Sequence, residues 1–499
     1  MKKNIFLFLF LLTVSLSIHA QETQYNIKDF GAVGDGVTLC TNAINSAVVK
    51  CAENGGGMVV IPTGIFKTGT IQMKSNVELH LEAGATLSAS ADYKDYPKQP
   101  QPEYRSLRDD PAGWVALIYA EKMSNFAITG FGTIDGNGAL QKPALNPARL
   151  EMEGRPLNIL FISCNHVRVE GIRMINSGMW NQHYLNCEDV IVNRIEVFNH
   201  SNRNNDAIDI DGCRRFVLSN SIFDSDDDGI TFKSTGPAAT EDVTVTNCVV
   251  SSFCNAIKAG TESTGGFRNI TISNCVVKPS RYKDNVIYGR RNGTSAIALE
   301  VVDGGLMEGI TISNITIEGV ECPLFIRLGN RARKHTETAP EPPVGKIRNI
   351  NISNITAYNT GNYSASITGI PGHYVENVTI DNIQLFNKGG LSDGQYKATF
   401  KDVPENETSY PESSMWGNLP SSAFFIRHVK GLSINNMIVG SNENDPRIPV
   451  IAVDVERLRI GKSIFSGASS PPCFTLLENV KEFDVEKPLG WGLNPVIKQ

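Results

Sequence analysis

Beyond its first twenty residues, the sequence lacks any apolar run approaching the roughly 20 residues of a membrane-spanning helix. It also lacks an excess of positive charge, because 46 Lys and Arg residues face 52 Asp and Glu residues, for a formal net charge of −6. This balance argues against a nucleic-acid partner and gives no overall attraction to an anionic polysaccharide. An acidic substrate would therefore need basic residues gathered locally.

The N-terminal segment has the composition of a secretory signal peptide. Lys2 and Lys3 precede an apolar run from Ile5 to Leu16, and Ala20 supplies a small residue for cleavage. We predict a signal peptide over residues 1–20 and an exported chain, in the periplasm or outside the cell. No cysteine lies near the predicted cleavage position, which argues against a lipid anchor there.

Ten cysteines in an exported chain raise the question of disulfides. Cys248 and Cys275 occupy the same position in successive sequence repeats, so their side chains should stack. We expect buried free thiols at such positions, because an isolated buried cysteine packs as a small hydrophobic side chain. A disulfide between them is the alternative.

A repeat of short alternating segments dominates the rest of the sequence. Each segment places apolar, mostly β-branched residues on one face and ends in Asn, as in Phe216–Asn220, Val243–Asn247, Ile270–Asn274, Ile310–Asn314, Ile350–Asn354 and Val378–Asn382. The period is about 27 residues and later lengthens to about 40, which predicts stacked coils with longer loops. Leucine-rich spacing with helices is missing, and a propeller needs four antiparallel strands per repeat. The pattern predicts an all-β parallel β-helix with three short strands per coil and an internal ladder of Asn amides.

We expect one β-helix domain over residues 21–499, with two departures from the repeat. Residues 21–75 form an N-terminal cap, in which a short helix begins near Thr41 with that residue as its N-cap. Covering the first coil would hide its apolar interior and free strand edges. Residues 386–422 form a long loop excursion, and loops of that length are often functional.

Three carboxylates are the strongest functional signal. Asp206 precedes the pair Asp227-Asp228 by about one repeat, so neighbouring coils should bring them close together. Hydrolysis of a glycosidic bond uses carboxyl groups gathered in this way, and crowding raises the pKa of at least one of them. One alternative is a solvated acidic turn. Another is a calcium site of a polysaccharide lyase, with Lys233 or Lys258 as its base.

The order of the motifs resembles the polygalacturonase family of pectin hydrolases, glycoside hydrolase family 28. The resemblance covers most of the chain and rests on Asp29–Gly36, Gly130–Gly136, Asn205-Asp206 and Asp227-Asp228. It implies a right-handed parallel β-helix that hydrolyses glycosidic bonds with inversion and needs no metal or other cofactor. It also implies that Asp227 protonates the leaving oxygen, while Asp206 and Asp228 hold and activate the water.

The sequence departs from that family at two positions. Asn255 stands where the family carries a His, and the strand with Ala298 and Glu300 lacks the two cations that grip a galacturonate carboxylate. Glu300 would repel a uronate and suits hydroxyl groups. Lys258 and Arg327 are candidates for rebuilding an anion site, and Arg290 and Arg291 are weaker ones. The predicted substrate-binding residues are Asn205, Asn255, Lys258, Glu300 and Arg327.

The sequence therefore predicts an exported inverting glycoside hydrolase that acts on a pectic or related polysaccharide or oligosaccharide. The long excursion favours an exo-acting enzyme, because it would close one end of the substrate groove. The alternatives are a calcium-dependent lyase and a non-catalytic β-helix that binds carbohydrate.

Overall fold

The structure is a computed structural model, and it describes residues 24–97, 115–141, 155–283, 292–467, 471–492 and 494–498. The predicted signal peptide and the pair Arg290-Arg291 lie outside these ranges.

The described chain winds into a right-handed parallel β-helix, as predicted. Apolar residues at alternate positions point into the coil interior, where Ile270 and Ile272 are buried while Thr271 between them is exposed. The repeats stack in register, since Phe216 pairs with Val243, which pairs with Ile270 on the next coil. Stacking supplies the apolar contacts that a single coil cannot make for itself.

The early coils carry three short strands each, and the later coils merge the second and third into one. The strands before the acidic site are β1 (Gln24–Asn26), β2 (Asp35–Leu39), β3 (Gly57–Ile61), β4 (Gly64–Thr68), β5 (Ile71–Gln72), β6 (Val77–Leu81), β7 (Ala85–Ala89), β8 (Ala116–Glu121), β9 (Ser124–Gly130), β10 (Thr133–Asp135), β11 (Leu157–Ile162), β12 (Asn165–Glu170), β13 (Arg173–Ile175), β14 (Gln182–Leu185), β15 (Glu188–Asn193) and β16 (Glu196–Asn199). Those around the site are β17 (Ile208–Asp211), β18 (Arg214–Ser219), β19 (Ile222–Ser225), β20 (Ile230–Ser234), β21 (Thr240–Thr246), β22 (Val249–Ser252), β23 (Asn255–Ser263), β24 (Phe267–Val277), β25 (Ser295–Val301) and β26 (Leu306–Glu318). The remainder are β27 (Cys322–Leu328), β28 (Lys346–Thr360), β29 (Ala365–Thr368), β30 (Val375–Asn387), β31 (Ser421–Ser441), β32 (Ile448–Ile460), β33 (Ser463–Ser466), β34 (Thr475–Val480), β35 (Phe483–Val485) and β36 (Val496–Lys498).

The predicted Asn ladder is present, but it runs along an exposed corner rather than inside the coil. The Asn220 amide donates to Asn193 at 2.9 Å, and the Asn247 amide donates to Asn220 at 3.1 Å. Asn314 and Asn354 continue the row after the longer loops. Asn suits this corner because it tolerates positive φ, which is 54° at Asn220 and 58° at Asn247. The corner is exposed because the residues on either side of each turn already fill the interior.

All ten cysteines are buried and free, which agrees with the expectation of stacked thiols. In the row that includes Cys187 and Cys213, the backbone N–H of Cys187 donates to the Cys213 sulfur at 3.4 Å. The Cys248 and Cys275 thiols contact each other in a second row. These side chains fill the interior of the coils as small hydrophobic groups.

The helix α1 (Thr41–Glu53) packs against the first coils, as the cap prediction required. Cys40, not Thr41, occupies the cap position, and the Thr41 hydroxyl accepts a hydrogen bond from the Gly69 N–H at 2.7 Å. Short 3-10 turns lie at Ile27–Phe30, Tyr93–Asp95, Gly138–Leu140, Phe400–Asp402 and Ser413–Trp416. Among the described residues, no helix has the length and apolar character needed to cross a membrane.

Between β30 and β31 the chain leaves the repeat over residues 388–420, which we call the excursion. It folds back onto the outer face of the coils, where Phe400, Val403 and Trp416 pack against Phe325 and Phe425. The excursion thus covers apolar side chains that point away from the β-helix interior.

Candidate active site

The candidate site lies on the outer face of one sheet, where four successive side chains of a row in register are polar. From coil to coil the row reads Tyr119, Leu160, His183, Asp209, Thr231, Lys258, Ala298, Phe325, Ser366, Phe425 and Ile451. The polar stretch spans β14, β17, β20 and β23. Polar side chains that replace apolar ones on a covered face indicate a functional site.

The three predicted carboxylates lie at the starts of strands β17 and β20, next to this stretch. The Ala207 N–H donates to the Asp228 carbonyl at 3.0 Å, and the Gly229 N–H donates to the Asn255 carbonyl at 2.8 Å. These bonds place Asp206, Asp228 and Asn255 at matching levels of three coils. Gly229 is required here, since a Cβ on it would lie 2.5 Å from the Ala256 carbonyl oxygen.

Asp228 is the most strongly held of the three. Its Oδ1 accepts from the Asn255 backbone N–H at 3.0 Å and from the Asn255 amide at 2.8 Å, and its Oδ2 lies 2.9 Å from the Lys258 ammonium. Burial raises the pKa of Asp228, but the charges of Lys258 and Lys233 and these hydrogen bonds outweigh it and leave the pKa below 3.8. Asn255 therefore orients an ionised carboxylate.

Asp206 has the opposite environment. Its side chain is buried, and its Oδ1 has no hydrogen-bond partner. Burial first, and then the negative charges of Asp209 and Asp227, raise its pKa well above the ordinary value. Asp206 therefore holds a proton more readily than Asp228 does.

Asp227 is the most exposed of the three side chains. Its Oδ1 accepts from the Asp228 N–H at 3.0 Å, and its Oδ2 accepts from the Asn204 amide at 3.4 Å. Its carbonyl oxygen accepts from the hydroxyls of Ser225 and Ser252, which fixes the turn. This carboxyl group is the one that a bound sugar can reach most easily.

The acidic run is not a solvated turn, contrary to that alternative. Asp224 and Asp226 are buried and face His200, whose Nε2 lies 2.9 Å from Asp224. Asp228 instead contacts Lys258, and Asp227 accepts from the Asn204 amide. The run thus divides into two pairs with different partners.

Sequence reasoning missed Asp209, and it considered Lys233 only as a lyase base. The Lys233 ammonium lies 3.5 Å from Asp209 and 3.4 Å from Glu262, and 4.8 Å from the centre of the Trp180 ring. Burial first raises the pKa of Asp209, and Lys233 only partly offsets this. The alternation of side chains along a strand could have indicated both residues, because Asp209 and Lys233 fall on outward-facing positions of their strands.

Glu300 lies near Lys258, as one coil of separation allows. It is fully buried, neither carboxyl oxygen has a hydrogen-bond partner, and its Oε2 is 4.0 Å from the Lys258 ammonium. Burial first, and then the charge of Asp228, raise the pKa of Glu300 to about 8, although Lys258 acts in the opposite direction. Glu300 therefore holds a proton more readily than an ordinary Glu, which weakens the repulsion of a uronate expected from the sequence.

Tyr410 reaches the site from the excursion, and no local pattern had pointed to it. Its hydroxyl lies 3.2 Å from the Lys258 ammonium, and its ring centre lies 5.5 Å from that ammonium and 5.8 Å from the Arg331 guanidinium. The ring remains about half exposed. A partly exposed ring beside cations at the mouth of a polar site is suited to contact a sugar.

The other two predicted substrate-binding residues, Asn205 and Arg327, donate hydrogen bonds to backbone carbonyls. The Asn205 amide donates to the carbonyls of Ser177 and Met179 at 3.0 and 2.8 Å, which fixes the segment before Asp206. Arg327 is buried and donates to the carbonyls of Gly369 and, in the excursion, of Glu405 and Asn406. The hydrogen bonds of Arg327 thus serve to attach the excursion.

The described residues contain one group that could hold a metal ion, namely Asp227, Asp228 and Cys254, with ligand atoms within 4.8 Å of one another. The donors do not suit calcium, which prefers six to eight oxygen ligands. One of the three is a thiol, and both oxygens of Asp228 already accept hydrogen bonds from Asn255 and Lys258.

The chain is similar to known polygalacturonases in sequence and in fold. The chain is 26% identical over 386 residues to a probable polygalacturonase of Vitis vinifera, covering 74% of this chain and 75% of the relative. It is 24% identical to an exopolygalacturonase of Platanus acerifolia, covering 74% and 92%. Among solved structures, a hyperthermoactive exopolygalacturonase of Thermotoga maritima matches with a TM-score of 0.62 at 25% identity, covering 73% of this chain and 87% of that one. The family 28 exopolygalacturonase of Yersinia enterocolitica matches in fold with a TM-score of 0.64 at 18% identity, covering 94% of this chain and 79% of that one. Residues 51–409 match the family Glycosyl hydrolases family 28, and the chain is therefore a glycoside hydrolase of that family.

Proposed function

We propose that this glycoside hydrolase cleaves a pectic polysaccharide or its fragments with inversion, by acid–base catalysis at Asp206, Asp227 and Asp228. The observation that carries the proposal is the environment of Asp228, which Lys258 and Asn255 keep ionised, as a base requires. Next to it stands Asp227, the most exposed of the three carboxyl groups and the one that a leaving oxygen can reach. Asp206 lies at the matching level of the neighbouring coil. The names of the relatives point to pectin as the substrate class.

In the proposed reaction, the Asp227 carboxyl group protonates the glycosidic oxygen as the bond to the anomeric carbon breaks. Asp228, kept ionised by Lys258 and oriented by Asn255, accepts a proton from the water that attacks the opposite face of the sugar. Asp206 fixes that water through its carboxyl group. Asp227 ends ionised and Asp228 protonated, and exchange of protons with solvent restores both.

The flanks of the site favour exo action. On one side, the outer face carries a buried apolar cluster that includes Tyr119, Leu160 and Trp180. On the other side, the excursion buries Phe325 and Phe425. A long polymer threaded along the outer face would meet apolar packing at both ends of the polar stretch, so a chain end is the better fit.

Two buried arginines hold the excursion in this place. Arg327 donates to the carbonyls of Glu405 and Asn406, and Arg427 donates to those of Val403 and Pro404. Tyr410 follows a few residues later and lies over Lys258. Hydrogen bonds from charged donors to buried carbonyls are among the stronger ones, so the closed end is held firmly.

We expect polygalacturonate to release short products from chain ends, with little early loss of viscosity. The products should first appear with the anomeric configuration opposite to that of the cleaved linkage, as measured by proton NMR during the reaction. Rapid loss of viscosity would contradict exo action, and retained configuration would contradict the assigned roles. If polygalacturonate is not cleaved, a panel of neutral pectic and algal oligosaccharides identifies the sugar.

Chelation should leave activity unchanged. A calcium-dependent lyase would lose its activity in excess EDTA and would give unsaturated products that absorb in the ultraviolet. Lys233 and Lys258 are also poor candidates for the lyase base. Burial lowers their pKa values, but the surrounding carboxylates outweigh it and keep both ammonium groups charged. Ultraviolet-absorbing products or loss of activity in EDTA would overturn the hydrolase mechanism.

Export is part of the proposal. It rests on the signal-peptide composition of residues 1–20. It also agrees with a polymeric substrate, which an enzyme encounters outside the cytoplasm. Mass spectrometry of the protein recovered from its host should find a chain that begins near Gln21.

A further inference from the structure

A second cluster of titratable groups lies behind the turn that carries Asp227. His200, which follows β16, is buried between Asp224, near the end of β19, and Asp226, in the turn that follows. Its Nε2 lies 2.9 Å from Asp224 Oδ1, and its Nδ1 lies 4.0 Å from Asp226 Oδ1. Asp226 is completely buried, and neither of its carboxyl oxygens has a hydrogen-bond partner. The proposed acid–base chemistry uses none of these three groups.

Several elements enclose the imidazole. The ring of Tyr282 stacks on it at 4.9 Å with an interplanar angle of 24°, and the rings of Phe198 and Phe253 flank it. The Ser280 hydroxyl donates to Asp224 at 2.6 Å, and the Arg281 N–H donates to the same carboxylate at 3.1 Å. The connection after β24 is therefore attached to the acidic turn through His200 and Asp224.

The charges around His200 decide its protonation state. Asp224 and Asp226 face it from the acidic turn, and Arg281 Nε lies 3.6 Å from Asp224 on the far side. The negative charge of Asp227 raises the pKa of Asp226, and the positive charge of Arg203 lowers it. Burial lowers the pKa of His200, but the hydrogen bond to Asp224 and the negative charges of Asp224 and Asp226 outweigh it, so the pKa is raised above its ordinary value. Burial first raises the pKa of Asp226 to about 6, and His200 partly offsets this.

We propose that His200 is a positioning residue for the hydrolysis. As an imidazolium ion between Asp224 and Asp226, it holds the Asp224–Asp228 turn and with it the Asp227 carboxyl group. Without that positive charge, Asp226 would be an uncompensated carboxylate in a closed space, and the turn would have to move to hydrate it. This inference rests on the proposed role of Asp227, one residue further along the chain. Because the folded-state pKa of His200 is raised, its stabilising contribution is complete below the ordinary pKa and disappears as pH rises through the folded value.

The test is a double-mutant cycle between His200 and Asp226. His200→Gln keeps a hydrogen-bond donor toward Asp224 but removes the charge, and we expect kcat to fall by roughly 10- to 100-fold with KM nearly unchanged. Asp226→Asn removes the charge that the imidazolium compensates. In the double variant we expect most of the lost kcat to return, together with a pH profile that extends further to alkaline pH. His166→Gln, at an exposed histidine, is the matched control.

The proposal would be overturned if His200→Gln kept the wild-type kcat at every pH. It would also be overturned if the losses of kcat from His200→Gln and Asp226→Asn were additive in the double variant. A measurement on the unaltered protein keeps it testable if the variants fold poorly. NMR titration of the histidine side chains should show one imidazolium that persists above pH 6.5, and a neutral His200 at pH 6 would also overturn it. If Asp227→Asn retains activity, the proposed function fails instead, and the titration still reports on His200.

Discussion

Asp227→Asn is expected to lower kcat by about 10²- to 10⁴-fold, the usual contribution of a general acid. The substitution keeps the size of the side chain and its acceptor oxygen for the Asp228 N–H, but it removes the proton that the leaving oxygen needs. Because the Asp227 side chain is partly exposed, the free energy of unfolding should change by less than about 0.5 kcal/mol. Initial rates on polygalacturonate and thermal unfolding of the same preparations provide both measurements.

The matched control is Asp484→Asn, an exposed carboxylate whose Arg459 partner lies at 3.8 Å. It should retain full activity. Substrates with a better leaving group offer a further check, since they need less help from an acid and should restore much of the lost rate in Asp227→Asn. Activity near the wild-type value on polygalacturonate would contradict the assigned role. It would favour the non-catalytic, carbohydrate-binding alternative if carbohydrate binding also persisted.

The fold and the central carboxylates could be predicted because they follow from a periodic pattern. Alternation of apolar residues determines which side chains fill a coil, and the 27-residue spacing places Asp206 and the Asp227-Asp228 pair on neighbouring coils. The side on which the Asn ladder lies was predicted wrongly. Spacing shows that the amides stack, but only the filled interior shows that they must stack outside it.

The rest of the site could not be predicted, because it depends on contacts between segments far apart in the sequence. Tyr410 is 152 residues away from its partner Lys258, and the excursion that carries it has no repeat. Arg327 was predicted to help form an anion site, but its donors are used by the carbonyl of Gly369 and by two carbonyls of the same excursion. A local pattern gives the direction of a side chain, and the folding of the excursion over the coils determines what that side chain meets.

Lys258→Met is expected to produce the largest combined effect on stability and activity. The ammonium is buried and lies 2.9 Å from Asp228, so its removal leaves an uncompensated carboxylate and should cost roughly 3–5 kcal/mol. In the wild-type protein the lowered pKa of Asp228 stabilises the fold above the ordinary value of 3.8, and this contribution disappears as pH falls through the folded value. In the variant, burial raises the pKa of Asp228 without opposition from Lys258, so the acidic limb of the activity profile should move to higher pH.

The sign of the pH effect separates this explanation from simple loss of packing. The destabilisation of Lys258→Met should be largest near neutral pH and should shrink as acid protonates Asp228, whereas a packing defect would persist at all pH values. Adding Asp228→Asn should recover part of the stability but none of the activity, because it removes the buried charge together with the base. Lys430→Met, at a lysine that lies 3.9 Å from Glu456 on the surface, is the control. Urea unfolding across the pH range measures the free energies, and an unchanged acidic limb would show that Lys258 does not keep Asp228 ionised.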